Sequence, residues 1–193
     1  MNLIKTTLLL STLCLAVCCS NTKSKESTKT NTPHLSRFST EQELANAFLN
    51  SFAQHDTGMM QYLITDEEIA YAATEIAKEF PDTSTTIDKQ VDRARQELTH
   101  KIIPAYKTSL KSLQQMISVD NVDLATCTFK IDTVPSKKFK GSTTIIKGGA
   151  EIDVITKEQK HYNLKMYSFM RIKDKWLILG PKWEWQNQPV RDR

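Results

Sequence analysis

Met170-Arg171-Ile172-Lys173-Asp174-Lys175-Trp176-Leu177-Ile178 is the stretch that decides the fold. Apolar residues flank three charged ones, with no room for a helix between them. Lys173-Asp174-Lys175 reads as a tight turn. Residues 161–172 and 176–185 are then neighbouring antiparallel strands. Upstream, Glu158-Gln159-Lys160 is the preceding turn and residues 142–156 another strand. Gly148-Gly149 within it marks a bulge or a sharp bend. Pro135-Ser136-Lys137-Lys138 reads as a further turn. Residues 122–133 form the first strand, with Ala125, Cys127, Phe129 and Ile131 on one face. Four strands joined by short turns make an antiparallel meander.

Before Val119 the apolar period is 3.6. Thr40-Glu41-Gln42-Glu43 is a capping box, followed by Leu44, Phe48 and Phe52 with Ala45 and Leu49 beside them. That helix ends near His55-Asp56-Thr57-Gly58, and a short turn carries Met59, Met60, Leu63 and Ile64. Thr65-Asp66-Glu67-Glu68 is a second capping box, ahead of a stripe of Ile69, Ala72, Ala73, Ile76, Ala77 and Phe80. Pro81-Asp82-Thr83-Ser84 breaks the chain. A longer helix starts near Thr86 with Ile87, Val91, Ala94, Leu98 and Ile102, and continues through Tyr106, Leu110, Leu113 and Ile117. Pro104 is expected to kink or split it.

Helices first and strands after is α+β order. The sheet has a face to bury, and the helical stripes are the apolar material at hand. The fold class is therefore α+β, with N-terminal helices packed on one face of a curved, cone-like four-stranded antiparallel meander, curved by the glycine pair.

The N-terminus addresses location. Lys5, then the run Leu8 to Val17, then Cys18-Cys19 has the layout of a secretory signal. The run is short for a membrane span, which takes roughly 20 residues. A cysteine at the cleavage zone resembles the lipobox of bacterial lipoproteins, whose new N-terminal cysteine is acylated. Cys19 has the small Cys18 before it and is the favoured acceptor; Cys18, preceded by Leu15-Ala16-Val17, is the alternative. Residues 1–18 are then the signal and 19–37 a Ser/Thr/Lys-rich tether too polar to fold. Residues 38–187 are the α+β domain and 188–193 a tail. This reading places the protein in the bacterial cell envelope, held to a membrane by an N-terminal lipid.

Lys and Arg number 26 and Asp and Glu 22, a net charge of +4 in 193 residues. So small a surplus is no nucleic-acid signature, and no nucleic-acid partner is expected. Of four cysteines, only Cys127 lies outside the signal region, so the domain has no internal disulfide to form.

The segment from Leu44 to Phe52 followed by His55-Asp56, the strand meander, and the ending quoted above resemble the nuclear transport factor two-like (SnoaL-like, cystatin-like) superfamily over residues 38–185. That resemblance implies a cone-shaped domain and leaves function open, since the fold hosts isomerases, dehydratases, binding modules and inactive lipoproteins. Its enzymes place an Asp, often with His or Tyr, in the cone's pocket. Candidates for that role are Asp56, Asp132, Asp153, His161, Tyr62 and Tyr167, and none matches a family motif.

His34, His55, His100 and His161 show no metal-ligand spacing, and no nucleophile-elbow or phosphate-loop motif occurs, so no metal and no cofactor are expected. Trp183 and Trp185 share a strand face and are the candidate contact residues; Trp176 is expected in the core, on the opposite face unless Gly180-Pro181 shifts the register. The expected function is a non-catalytic domain binding an envelope protein or a small apolar ligand. The alternative is an isomerase- or dehydratase-like enzyme with a pocket carboxylate.

Overall fold

Residues 38–82 and 84–188 are described by a computed structural model. Cys18 and Cys19, the tether and the tail after Gln188 lie outside the described residues.

Thr40 opens helix α1 (Glu41–Ala53): its hydroxyl accepts from the Glu43 N–H, and the Glu43 carboxylate accepts from the Thr40 N–H. Leu44, Ala45, Phe48, Leu49 and Phe52 are buried, as their spacing predicts. A 3-10 turn, Thr57–Tyr62, leads to α2 (Asp66–Glu79), which starts on the second capping box. Helix α3 (Ile87–Glu97) begins at the Thr86 cap and packs beside α2. A π turn, Leu98–Ile102, joins it to α4 (Ile103–Val119). There the Ile103 N–H reaches back to the Leu98 carbonyl. The wider turn sits directly ahead of Pro104, which has no N–H to give and whose ring crowds the preceding turn. The expected kink is thus absorbed as a change of ladder.

Five strands follow: β1 (Thr128–Lys138), β2 (Ile146–Ile155), β3 (His161–Ile172), β4 (Lys175–Ile178) and β5 (Trp183–Gln188). All pairings are antiparallel, in the order β1-β2-β3-β4, and β5 also pairs with β3. Strand β3 and the two-residue turn after it run as expected, with Lys173 and Asp174 both at positive φ. That conformation suits the twist of the joined strands.

Elsewhere the boundaries move. The first strand begins at Thr128, because Asp123 accepts from the Ala125 N–H and winds Leu124–Thr126 into a 3-10 turn. Pro135-Ser136 is not a turn but an irregularity inside β1. The reversal comes at Phe139–Gly141, where Lys140 and Gly141 take positive φ. The second strand starts at Ile146, since the Ser142 hydroxyl accepts from the N–H groups of Thr144 and Ile145. The last strand is broken between Ile178 and Trp183, so it pairs with β3 in two pieces.

Ala150, Ile152 and Val154 of β2 and Leu164 and Met166 of β3 face the stripe of α1 and are buried with it in one core. Phe38 and Leu63 bridge to Trp176 and Ile178 and so cover the free edge of β4. Among the described residues, no helix is long and apolar enough to cross a membrane.

Candidate functional site

The break in the last strand fixes where its tryptophans go. Trp183 pairs with Met166 and Trp185 with Leu164, so both lie on the inner face. Trp176 pairs with Arg171, beyond an irregularity in β3 that restores the inner face. It therefore lies on the same side as the other two, and not on the opposite one. It is buried in the core.

Trp183 is a pillar between helices and sheet. Its ring meets Phe48 at 5.6 Å and Tyr106 at 5.4 Å, and its indole N–H donates to the Ser109 carbonyl at 3.3 Å. The Tyr106 hydroxyl donates to the Met59 carbonyl at 3.0 Å, and burial pushes its phenol up from the usual range. Trp185 stacks on Tyr162 at 5.1 Å, and its indole N–H donates to Asp120 Oδ2 at 2.6 Å. Asp120 caps the C-terminal end of α4, where the helix dipole disfavours a negative charge. The indole hydrogen bond holds the carboxylate there.

Beside Trp185 lies a groove of about 440 Å³ between α4 and β5, lined by Ser112, Gln115, Met116, Val119, Asp120, Trp185 and Asn187. Met116 is 37% exposed and Val119 75%. Both fall off the buried stripe of Tyr106, Leu113 and Ile117. The groove thus joins an aromatic wall and two exposed apolar side chains to a polar rim. Trp185 belongs to it and Trp183 does not.

The carboxylate candidates are not brought together. Asp56 is exposed and caps Gly58 at 2.7 Å. Asp132 is exposed, 3.5 Å from Lys130. Asp153 is half-buried and accepts from Asn163 Nδ2 at 3.3 Å. His161 is half-buried at the start of β3. The Tyr62 hydroxyl is engaged with Ala47 and Ser51, and Tyr167 faces Lys182. Cys127 is a free, half-buried thiol held above its usual range by burial and by the nearby Asp123 and Glu158.

Among the described residues, the acid that is buried is Glu41, in the first turn of α1. Its Oε1 accepts from the Gly149 N–H at 3.2 Å and from the Ser136 hydroxyl at 3.4 Å. Burial holds the carboxyl above its ordinary value of 4.5, while those two donors and Arg171 pull the other way. A Cβ on Gly148 would overlap this carboxylate and press on Trp176. The glycine pair, read in the sequence as a curvature device, is also the seat of Glu41. The only sequence signal was a Glu at the helix start, where a solvated capping role is the ordinary explanation.

Among the described residues, no three His, Cys, Asp or Glu side chains stand together as a metal site would need. Compared with known protein families, with characterised proteins and with solved structures, the chain matches none.

Proposed function

We propose that this chain is a membrane-tethered lipoprotein of the bacterial cell envelope, with a non-catalytic, cone-like binding domain of the nuclear transport factor two-like kind. Its ligand is a small apolar molecule seated in the α4–β5 groove. The observation that carries this reading is the groove itself: its volume of about 440 Å³ falls within the span of small-ligand sites. Trp185, clamped by Tyr162 and Asp120, supplies a rigid aromatic wall, and Met116 an adaptable one. The polar rim of Ser112, Gln115 and Asn187 orients a ligand that carries a polar end.

The test is titration with N-phenyl-1-naphthylamine, a neutral apolar fluorophore that brightens when it leaves water. Saturable binding that is lost in Val119→Asp supports the groove as the site. No saturable binding, or binding indifferent to that change, rejects it. The tether is tested separately by mass spectrometry of the mature N-terminus: an acylated Cys19 or Cys18 supports it, and an unmodified start beyond Cys19 rejects it.

A further inference from the structure

The sheet is irregular at one level across all of its strands. β1 has an extra residue between Val134 and Lys137, β3 has one opposite the glycine pair, and the last strand is interrupted after Ile178. On the inner side of this crease sits Glu41. On the outer side is a hollow of about 320 Å³, distinct from the α4–β5 groove.

Side-chain alternation fixes the outer face. Ala150, Ile152 and Val154 of β2 point inward, so Lys147, Glu151 and Asp153 point outward. The extra residue in β1 puts Lys137 directly opposite Lys147; without it, Ser136 would hold that place. Like charges facing across strands destabilise a sheet. Elsewhere on this face Asp132 stands opposite Glu151, but each of those acids has a lysine beside it. Lys130 lies 3.5 Å from Asp132, and Lys165 lies 3.7 Å from Glu151. Lys137 and Lys147 have no ion pair among the described residues, and a third lysine, Lys182, joins them over the Tyr167 ring at 6.0 Å. The one acid on the wall, Glu184, faces Lys165 across the strands. Three lysines against one glutamate leave the hollow with a charge of +2.

We propose that this outer-face hollow binds a phosphate group, as a phosphate monoester or as the phosphate of an anionic lipid headgroup, with Lys137, Lys147 and Lys182 as its ligands. A dianionic monoester matches the charge of the hollow, a singly charged lipid phosphodiester offsets half of it, and either reduces the cross-strand repulsion. Lysines act as compact point charges with rotatable donors, suited to a tetrahedral anion approached from several sides. Val134, Pro135 and Tyr167 form the wall against which the organic part of the ester lies. The proposal stands without the groove described above.

The experiment is calorimetric titration of the full chain with glycerol 3-phosphate, alongside capture by phosphatidylcholine vesicles with and without phosphatidylglycerol. Lys137→Gln and Lys147→Gln are compared with the native chain, and Lys160→Gln, in an exposed turn away from the hollow, is the control. The expected result is saturable binding, weakened roughly tenfold by each hollow substitution, the loss of one charged hydrogen bond, and unchanged in the control. Lysine-dependent binding of glycerol 3-phosphate alone identifies a soluble ester. Lysine-dependent binding confined to phosphatidylglycerol vesicles identifies a headgroup. Because it relieves repulsion, Lys137→Gln is expected to keep or raise the thermal midpoint while it weakens binding, which separates a lost ligand from a lost fold. No saturable response to either probe overturns the proposal. So does equal binding by the native chain and both hollow variants.

Discussion

Helix α1 and helix α3 begin alike and end differently. Each starts on a threonine whose hydroxyl accepts a backbone N–H, and each carries an apolar stripe. Yet α1 buries Leu44, Ala45, Phe48, Leu49 and Phe52, whereas α3 buries no residue. α1 lies on the sheet; α3 lies on α2, a helix that itself buries only Ala72 and Ala77. Phe80 and Ile87, between them, are 48% and 41% exposed. Periodicity determines that a helix forms and which side is apolar. How deeply that side is buried depends on what lies opposite, and a second amphipathic helix covers less than a sheet does.

Helices α1 and α2 also hold their acids differently. Glu41 is buried under α1 and its carboxyl is raised above the usual range. Glu79, at the end of α2, clamps the chain between β1 and β2 at the surface: it accepts from the Thr143 N–H and hydroxyl, both at 2.8 Å, and from the Thr144 hydroxyl at 3.0 Å. Desolvation opposes its charge, but hydrogen bonds from Ser142, Thr143 and Thr144 outweigh it and bring the pKa down to about 2. Both glutamates tie a helix to the irregular part of the sheet, one at a cost in the ionised form and one with a gain.

The largest effect should come from the core of α1. Phe48→Ala is expected to lower stability by about 3–5 kcal/mol, read from chemical denaturation, because the side chain is fully buried between Phe52, Tyr62 and Trp183. Val91→Ala in α3 should cost below about 1 kcal/mol. Equal losses at the two sites would break the contrast drawn here. Next, Gly148→Ala forces a methyl group against Glu41 and Trp176 and should cost about 1–3 kcal/mol. Adding Glu41→Ala should recover part of that loss, since the two residues compete for one space. A strictly additive double variant would remove the claim that the glycine seats the glutamate.

Thr40→Ala should cost about 1 kcal/mol, the usual price of a helix cap. Thr86→Ala is expected to fray α3 locally, visible in hydrogen exchange with little change in the global midpoint. The smallest effect is a slope. The folded state raises the Glu41 pKa, so its stabilising share is fully present below 4.5 and is lost as pH rises through the raised value. Glu41→Gln should flatten this fall in the denaturation profile. For Glu79 the sign is opposite: its contribution is present above 4.5 and disappears as pH falls toward about 2. A Glu79→Gln variant that keeps the native acid profile would contradict the clamp.

Much of the architecture was legible in the residues because local rules govern it. Two capping boxes, the stripe of α1, strand β3 and its turn all follow from hydrogen-bond and side-chain geometry over a few neighbours. Candidate sites were legible only in part. Trp185 was singled out and lines the groove, but Met116 and Val119 were passed over because a lone apolar residue off a stripe is ordinary on a surface. Lys137 was read as part of a turn, which hid its place opposite Lys147.

The sequence by itself determined the α+β order, the helix starts, the strand meander and the single cysteine of the domain. The tertiary structure alone decided the crease: which residues are extra in β1 and β3, where the last strand breaks, and hence which face Trp176, Lys137 and Lys182 occupy. A strand alternates faces with period 2, so one inserted residue reverses everything beyond it. Whether an insertion occurs depends on the neighbouring strand and on the helix above it. No window of the chain contains that information.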